Sequence, residues 1–256
     1  MSEQIEAPPG VFTGADGLEV RRLPILSDNY AWWLRCPHSG QTAVVDPADA
    51  EAITRAIDGL GGRLDTILIT HHHDDHIAGV DAVRARFGAR VIGNAADAHR
   101  LPKLDEAVRP GDTIHIGDHA ARIIDTPGHT RGHIVYAFES AKVLFSADTL
   151  FSLGCGRLFE GSPEEMFASM RALDGLDDDT WVCCGHEYTA SNAKFALHED
   201  PDNPALKAWA GEVARLRAAG LPTVPTRLGL ERAANPFLRA PDAVEFGRLR
   251  RGKDSF

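Results

Sequence analysis

The segment Thr70–His76, THHHDDH, places four good metal ligands within six residues, directly after the short apolar run Thr66–Thr70. In extended backbone successive side chains alternate, so His71 and His73 point one way and His72 the other. Asp75 and His76 follow on the turn into the next helix. One loop can therefore serve two neighbouring cations, His71 and His73 on the first and Asp75 and His76 on the second. Neutral imidazole and carboxylate suit zinc and also accommodate iron or manganese. Histidines and aspartates packed behind a buried-looking strand need a compensating partner, and a metal supplies one.

Further donors recur in the same setting. His129 lies in TPGHTRGH after Arg122–Thr126, Asp148 in LFSADTLF after Lys142–Ala147, and His186 in CCGHEY after Trp181–Cys184. Two divalent ions roughly 3.5 to 4 Å apart can share a hydroxide that forms near neutral pH, while one of them polarises a scissile carbonyl. Set against Asp75, Asp148 and that hydroxide, the two ions leave a net charge of about +1, which attracts a developing oxyanion. Asp75 and Asp148 are thus the catalytic candidates as well as ligands. His38, His72, His99, His115, His119 and His198 lack such a context and read as surface or structural residues, and His133 as a residue that packs against or orients the ligands.

The elements that must position these groups are apolar runs rich in β-branched residues, each ending at a histidine or an acid; Gln41–Val45 runs into Asp46 in the same manner. Helical patterns lie between them, over Glu51–Leu60 and Ile77–Phe87. Ser162, Pro163 and Glu165 predict a capped helix running to about Leu173. After His186 strand signals stop, and Thr189–His198, Ala205–Ala219 and Pro241–Arg251 read as helices. A boundary near His186 divides the chain into 1–186, catalytic, and 187–256, helical. The expected class is α/β, with stacked sheets and outer helices.

With 256 residues, 43% apolar and 25% charged, the chain has the make-up of a globular protein. Its net charge of −10 disfavours nucleic acid as a partner. Cys36, Cys155, Cys183 and Cys184 form no CxxC pair and read as free thiols in a reducing compartment. No stretch suits a membrane span, and MSEQIEAPPG has no apolar leader core, so a cytoplasmic location without membrane partners is expected.

HxHxDH, a later PGHTxGH, a strand-ending Asp and a strand-ending GH together resemble the metallo-β-lactamase superfamily. The resemblance implies an αββα sandwich with the site along a sheet edge. It also implies one metal on His71, His73 and His129, a second on Asp75, His76 and His186, and Asp148 bridging them. That signature leaves the substrate open, since the fold carries many activities.

GCGRLFEG (Gly154–Gly161), GHEYTASNAKFA (Gly185–Ala196), SDNY (Ser27–Tyr30) and the tail from NPFLR to RRGKD (Asn235–Asp254) resemble the glyoxalase II, or hydroxyacylglutathione hydrolase, family. The resemblance implies a small α-helical domain after the sandwich. It implies hydrolysis of S-D-lactoylglutathione to glutathione and D-lactate in methylglyoxal detoxification, by a hydroxide bridging two divalent ions, zinc foremost. Arg157 and Tyr188 match positions that approach the tripeptide, and Arg250 and Lys253 match two basic residues that hold a glutathione carboxylate. Phe159 stands where animal relatives use tyrosine, so any contact there is apolar or through the backbone. A thioester suits the inventory, because a thiolate leaves without a strong general acid. We expect a monomer acting on a small-molecule thioester. The alternatives are a mononuclear iron glutathione-persulfide dioxygenase and a non-catalytic metal- or glutathione-binding module.

Overall fold

A computed structural model describes residues 10–256. The expectation drawn from the first residues, that no leader is present, falls outside that range apart from Gly10. Strands β1 (Val11–Thr13), β2 (Glu19–Ile25), β3 (Asn29–Arg35) and β4 (Thr42–Val45) lead to helix α1 (Ala50–Gly59) and β5 (Thr66–Leu68). Helices α2 (Asp74–Ile77) and α3 (Val80–Phe87), then β6 (Arg90–Asn94) and β7 (Glu106–Val108), complete a seven-stranded sheet in the order β1 to β7. The second sheet takes β8 (Thr113–Ile116), β9 (His119–Asp125), β10 (Ile134–Phe138) and β11 (Val143–Ala147). After a ribbon of β12 (Leu150–Phe151) and β13 (Gly154–Cys155) and helix α4 (Pro163–Arg171), strand β14 (Trp181–Cys184) joins that second sheet. The remainder holds α5 (Thr189–Glu199), α6 (Pro204–Ala218), β15 (Thr226–Arg227), α7 (Leu228–Ala234), α8 (Pro236–Arg239) and α9 (Ala243–Ser255).

The inner strands are buried on both faces, and alternate residues enter different cores. Val45, Leu68, Tyr136 and Phe145 fill the space between the sheets. Their neighbours Val44 and Ile67 pack under α1 and α3 with Ile53, Ile57 and Val83. On the other side Val135 and Leu144 pack under α4 with Met166 and Met170. The period of two thus builds four layers, helix, sheet, sheet and helix. Ser162 and Glu165 form the anticipated reciprocal cap on α4.

Two expectations need correction. The helix read over Ile77–Phe87 is interrupted at Ala78 and Gly79, and Gly79 packs so closely on the β4–α1 loop that a Cβ would come within 2.2 Å of the Pro47 carbonyl oxygen. Strands also do not stop at His186, because Thr226–Arg227 pairs with Val182 and Trp181 at the edge of the second sheet. The C-terminal helices share a core with the sandwich as well, Phe195, Phe237 and Phe246 packing with Leu144 and Met166.

Candidate metal centre

Strands β4 and β5 run parallel, as do β11 and β14, so their C-terminal ends open at one edge of the sandwich. Asp46, His71, Asp148 and His186 follow those ends, and His129 follows β9, which runs in the same sense as β11. Asp46 and Ala147 adopt left-handed backbone angles, φ 50° and 41°, which non-glycine residues hold only where surrounding contacts enforce them.

Two groups of ligand atoms result. His73 Nδ1 lies 3.2 Å from His71 Nε2 and 2.9 Å from His129 Nε2. In the second group, Asp75 Oδ2 lies 3.4 Å from His186 Nε2 and 3.8 Å from His76 Nε2. Asp148 reaches both: its Oδ2 is 3.4 Å from His129 Nε2 and from His186 Nε2, and its Oδ1 is 3.4 Å from His76 Nε2. All seven residues singled out by spacing therefore converge.

In four of the five histidines the remote ring nitrogen is fixed by an oxygen, which aims the other nitrogen into the site. His129 Nδ1 donates to the Arg157 carbonyl at 2.9 Å, His76 Nδ1 faces Asp46 Oδ2 at 2.9 Å, and His186 Nδ1 faces Asp28 Oδ1 at 3.0 Å. Thr70 Oγ1 donates to Asp46 Oδ2 at 2.7 Å and so accepts from His71 Nδ1 at 3.0 Å. Asp46 also lies close enough to His71 and His76 to make a third possible ligand group, but its oxygens are spent on Thr70 and His76. Asn29 Nδ2 donates to Asp75 Oδ2 at 3.0 Å. His133 is fully buried, lies beside the hydroxyls of Thr126 and Thr149, and accepts from the Asp148 amide.

The two groups differ electrostatically. Burial, reinforced by neighbouring imidazoles, holds His71 well below the ordinary histidine value and His73 at about 4, and burial lowers His129 too. The lowered values favour the neutral ring, the form that binds metals. For His76 and His186 burial opposes the charge but is overridden. Asp148, aided by Asp46, holds His76 well above the ordinary value, and Asp148 with Asp75 raises His186 to about 10. The same pairings hold Asp75 and Asp148 below the usual carboxylate range, Asp148 despite its burial. His76 Nε2 and Asp148 Oδ1 are buried without a hydrogen-bond partner, and the donors are all imidazole nitrogens and carboxylate oxygens. That set fits a pair of divalent cations.

Two glycines explain how the loops approach so closely. A Cβ on Gly185 would lie 2.5 Å from Asp148 Oδ1, and one on Gly156 would lie 2.0 Å from the Asp148 carbonyl oxygen.

A cavity of about 720 Å³ opens over the centre, and Arg157, Phe159, Tyr188, Arg250 and Lys253 all line it together with His129 and Asp148. Phe159 is 63% exposed and stands edge-on to His73 and His129, while Tyr188 stacks on His186 with ring centres 4.6 Å apart. Lys253 Nζ donates to the Ser191 hydroxyl and carbonyl. Arg250 is only 4% exposed, and its guanidinium is held by the Cys155 carbonyl and Asp254 at 2.8 and 2.9 Å. Asp28, Asn29, Asp46 and Ser191 were not singled out by the sequence as part of the site. The acid ending Gln41–Val45 was the available signal for Asp46, and the SDNY motif was the signal for Asp28 and Asn29. The four cysteines are free and buried.

Residues 26–186 match the family described as the metallo-beta-lactamase superfamily, and residues 187–256 match the hydroxyacylglutathione hydrolase C-terminus. The hydroxyacylglutathione hydrolase of Acidiphilium cryptum is 60% identical over 94% of this chain and 98% of its own length. That of Ruegeria pomeroyi is 52% identical over 88% of each. Among solved structures, ETHE1 from Myxococcus xanthus superposes with a TM-score of 0.70 at 26% identity, over 91% of this chain and 89% of that one. The BLEG-1 B3 metallo-beta-lactamase, at 24% identity and a TM-score of 0.66 over 86% of this chain and 99% of its own, shares the fold.

Proposed function

The chain belongs to the hydroxyacylglutathione hydrolase (glyoxalase II) family of the metallo-beta-lactamase superfamily, and from that membership we propose that it hydrolyses S-D-lactoylglutathione to glutathione and D-lactate in methylglyoxal detoxification. The observation that carries the reading is the reach of Asp148 to His129 on one side and to His76 and His186 on the other. His71, His73 and His129 would hold one divalent ion, Asp75, His76 and His186 the other, with Asp148 shared; zinc fits best, and iron or manganese is also accommodated. Bound there, the pair supplies Lewis acidity toward the thioester carbonyl and makes a water acidic enough to ionise near neutral pH.

The chain's own residues do the rest. Asp46, Asp28, Thr70 and the Arg157 carbonyl keep four imidazoles oriented before substrate arrives, so little reorganisation accompanies reaction. Arg157, Arg250 and Lys253 put three cations on the cavity wall of an acidic protein, suited to the carboxylates of glutathione. Tyr188 offers a phenol and a ring face there, and Phe159 an apolar edge without a hydroxyl. A thiol leaving group, with a pKa near ~8.5, departs as thiolate without a protein acid.

The same reading has the protein working as a monomer in the cytoplasm on a small molecule, with neither nucleic acid nor membrane as partner. Its net charge supports the first exclusion. Among the described residues no helix is long and apolar enough to cross a membrane. The test is anaerobic incubation of metal-loaded protein with S-D-lactoylglutathione, following free thiol. Release of one thiol per thioester is expected. Turnover of glutathione persulfide that requires oxygen, with no thioester cleavage, would favour a dioxygenase, and two bound metals without turnover would favour a binding module.

A further inference from the structure

Behind the histidine loop a second set of charged groups converges on Arg100. Its Nε donates to Asp97 Oδ1 at 2.6 Å and its Nη2 to Glu160 Oε2 at 3.1 Å, while Nη1 donates to Glu160 Oε1 and, at 3.3 Å, to His72 Nε2. A guanidinium only donates, so His72 Nε2 accepts and its proton sits on Nδ1, which faces Asp97 Oδ2 at 3.3 Å. Asp97 is buried against Gly132, where a Cβ would come within 2.4 Å of the carboxylate carbon. One guanidinium thus ties the loop carrying His71 and His73 to the turn at 97–100 and to the segment 157–161, while its partners Asp97 and Glu160 meet the loop carrying His129 at Gly132 and Arg131.

The last two run side by side. Phe159 N donates to the His129 carbonyl at 3.3 Å, Gly161 N to the Gly128 carbonyl at 3.0 Å, and Arg131 N to Glu160 Oε2 at 2.7 Å. A Cβ on Gly161 would lie 2.6 Å from Gly128 Cα, so no side chain separates the segments. At the end of this seam the Arg157 carbonyl accepts from His129 Nδ1. Neither Arg100 nor Glu160 lines the cavity over the metal centre, so both must act through other residues.

We infer that the Arg100–Glu160 pair is a positioning device for the His71, His73 and His129 group: it clamps the segment 157–161 to the His129 loop so that the Arg157 carbonyl fixes the His129 ring with Nε2 toward His73 and Asp148. The inference rests on the metal assignment proposed above. It implies that these two residues, remote from substrate, set the affinity of one ion and not of the other. Glu160→Ala leaves Arg100 paired with Asp97, so no buried charge is stranded.

The experiment is a titration of metal-free protein with Co²⁺, following ligand-field absorption and stoichiometry by native mass spectrometry. Wild type is expected to bind two ions. Glu160→Ala should bind one of them about 10-fold or more weakly, the scale typical of groups that orient ligands, and the other unchanged. Arg100→Lys, which keeps the charge but cannot bridge three partners, should weaken the same ion and decides the matter if Glu160→Ala does not fold. Wild-type affinity for both ions in a folded variant, or equal weakening of both, overturns the inference. Fewer than two ions on wild type overturns the metal assignment itself, and the inference with it.

Discussion

His76 Nδ1 lies 2.9 Å from Asp46 Oδ2, a contact between residues thirty positions apart that meet because β4 and β5 are parallel neighbours. Asp46 also accepts from the Thr70 amide and hydroxyl, so one carboxylate orients His76 directly and His71 through Thr70. Asp46→Asn keeps the shape, and asparagine tolerates the left-handed backbone at that position. The expected outcome is a 10- to 100-fold loss of affinity, roughly, for the ion held by His76, with the fold retained. Metal titration of the variant checks it, and wild-type affinity would show that the contact is only structural.

Gly185→Ala should separate site geometry from stability. Its Cβ would collide with Asp148 Oδ1 and approach His76 Cε1 to 2.9 Å. A displacement near 1 Å at reacting groups costs on the order of 100-fold in rate, so kcat should fall by about that factor. Gly211→Ala in α6 is the comparison, since nothing lies within 4 Å of a Cβ there. It should raise stability by ~0.5 to 1 kcal/mol and leave kcat unchanged. Steady-state rates and urea unfolding of both variants decide it.

Lys253 and Arg250 line one cavity wall but should behave differently. Lys253→Ala removes a charge-assisted contact worth about 1.5 to 3 kcal/mol, so KM for the glutathione thioester should rise roughly tenfold or more, with less change in kcat. A truncated thioester lacking the glutathione carboxylates should hardly sense it. Arg250→Ala also releases the Cys155 carbonyl, Asp254 and the face of Phe237, so it should lower stability and impair both substrates. Equal behaviour of the two variants on both substrates would contradict this division.

Glu231 joins the helical region to β12–β13 from a fully buried position, its Oε2 accepting from Leu153 N and Asn235 Nδ2 at 2.7 and 3.0 Å. Burial raises its carboxyl pKa even though these hydrogen bonds oppose the shift. The native state therefore holds this proton more tightly than the unfolded chain does. Its contribution to stability is full below the ordinary glutamate value of about 4.3 and declines as pH rises from there through the raised native value. Glu231→Gln cannot titrate. The stability of wild type minus that of the variant should thus fall with rising pH across this window, and urea unfolding at several pH values checks it; a flat difference would refute the assignment.

Much of the centre was legible because each ligand is announced locally. His71 to His76 share one loop, and His129, Asp148 and His186 each follow an apolar run. The cap of α4 was legible for the same reason, with Ser162 and Glu165 three residues apart. Contacts set by tertiary packing were not. Asp28 meets His186 across 158 positions, and Arg100 meets Glu160 across 60. The close approach of Gly79 to the Pro47 backbone is likewise a tertiary contact, which helical periodicity does not sense. Strand β15 is two residues long, too short for an alternation to show, and forms because β14 offers it an edge.

The shared position of Asp148 is the central claim, and removing its carboxylate tests it most directly. Wild type and Asp148→Ala are stripped of metal and titrated with Zn²⁺ against a competing chelator. Wild type should take up two ions tightly. The variant, lacking the one anion that reaches both groups, should bind both weakly. Retention of two tightly bound ions by Asp148→Ala would contradict the account.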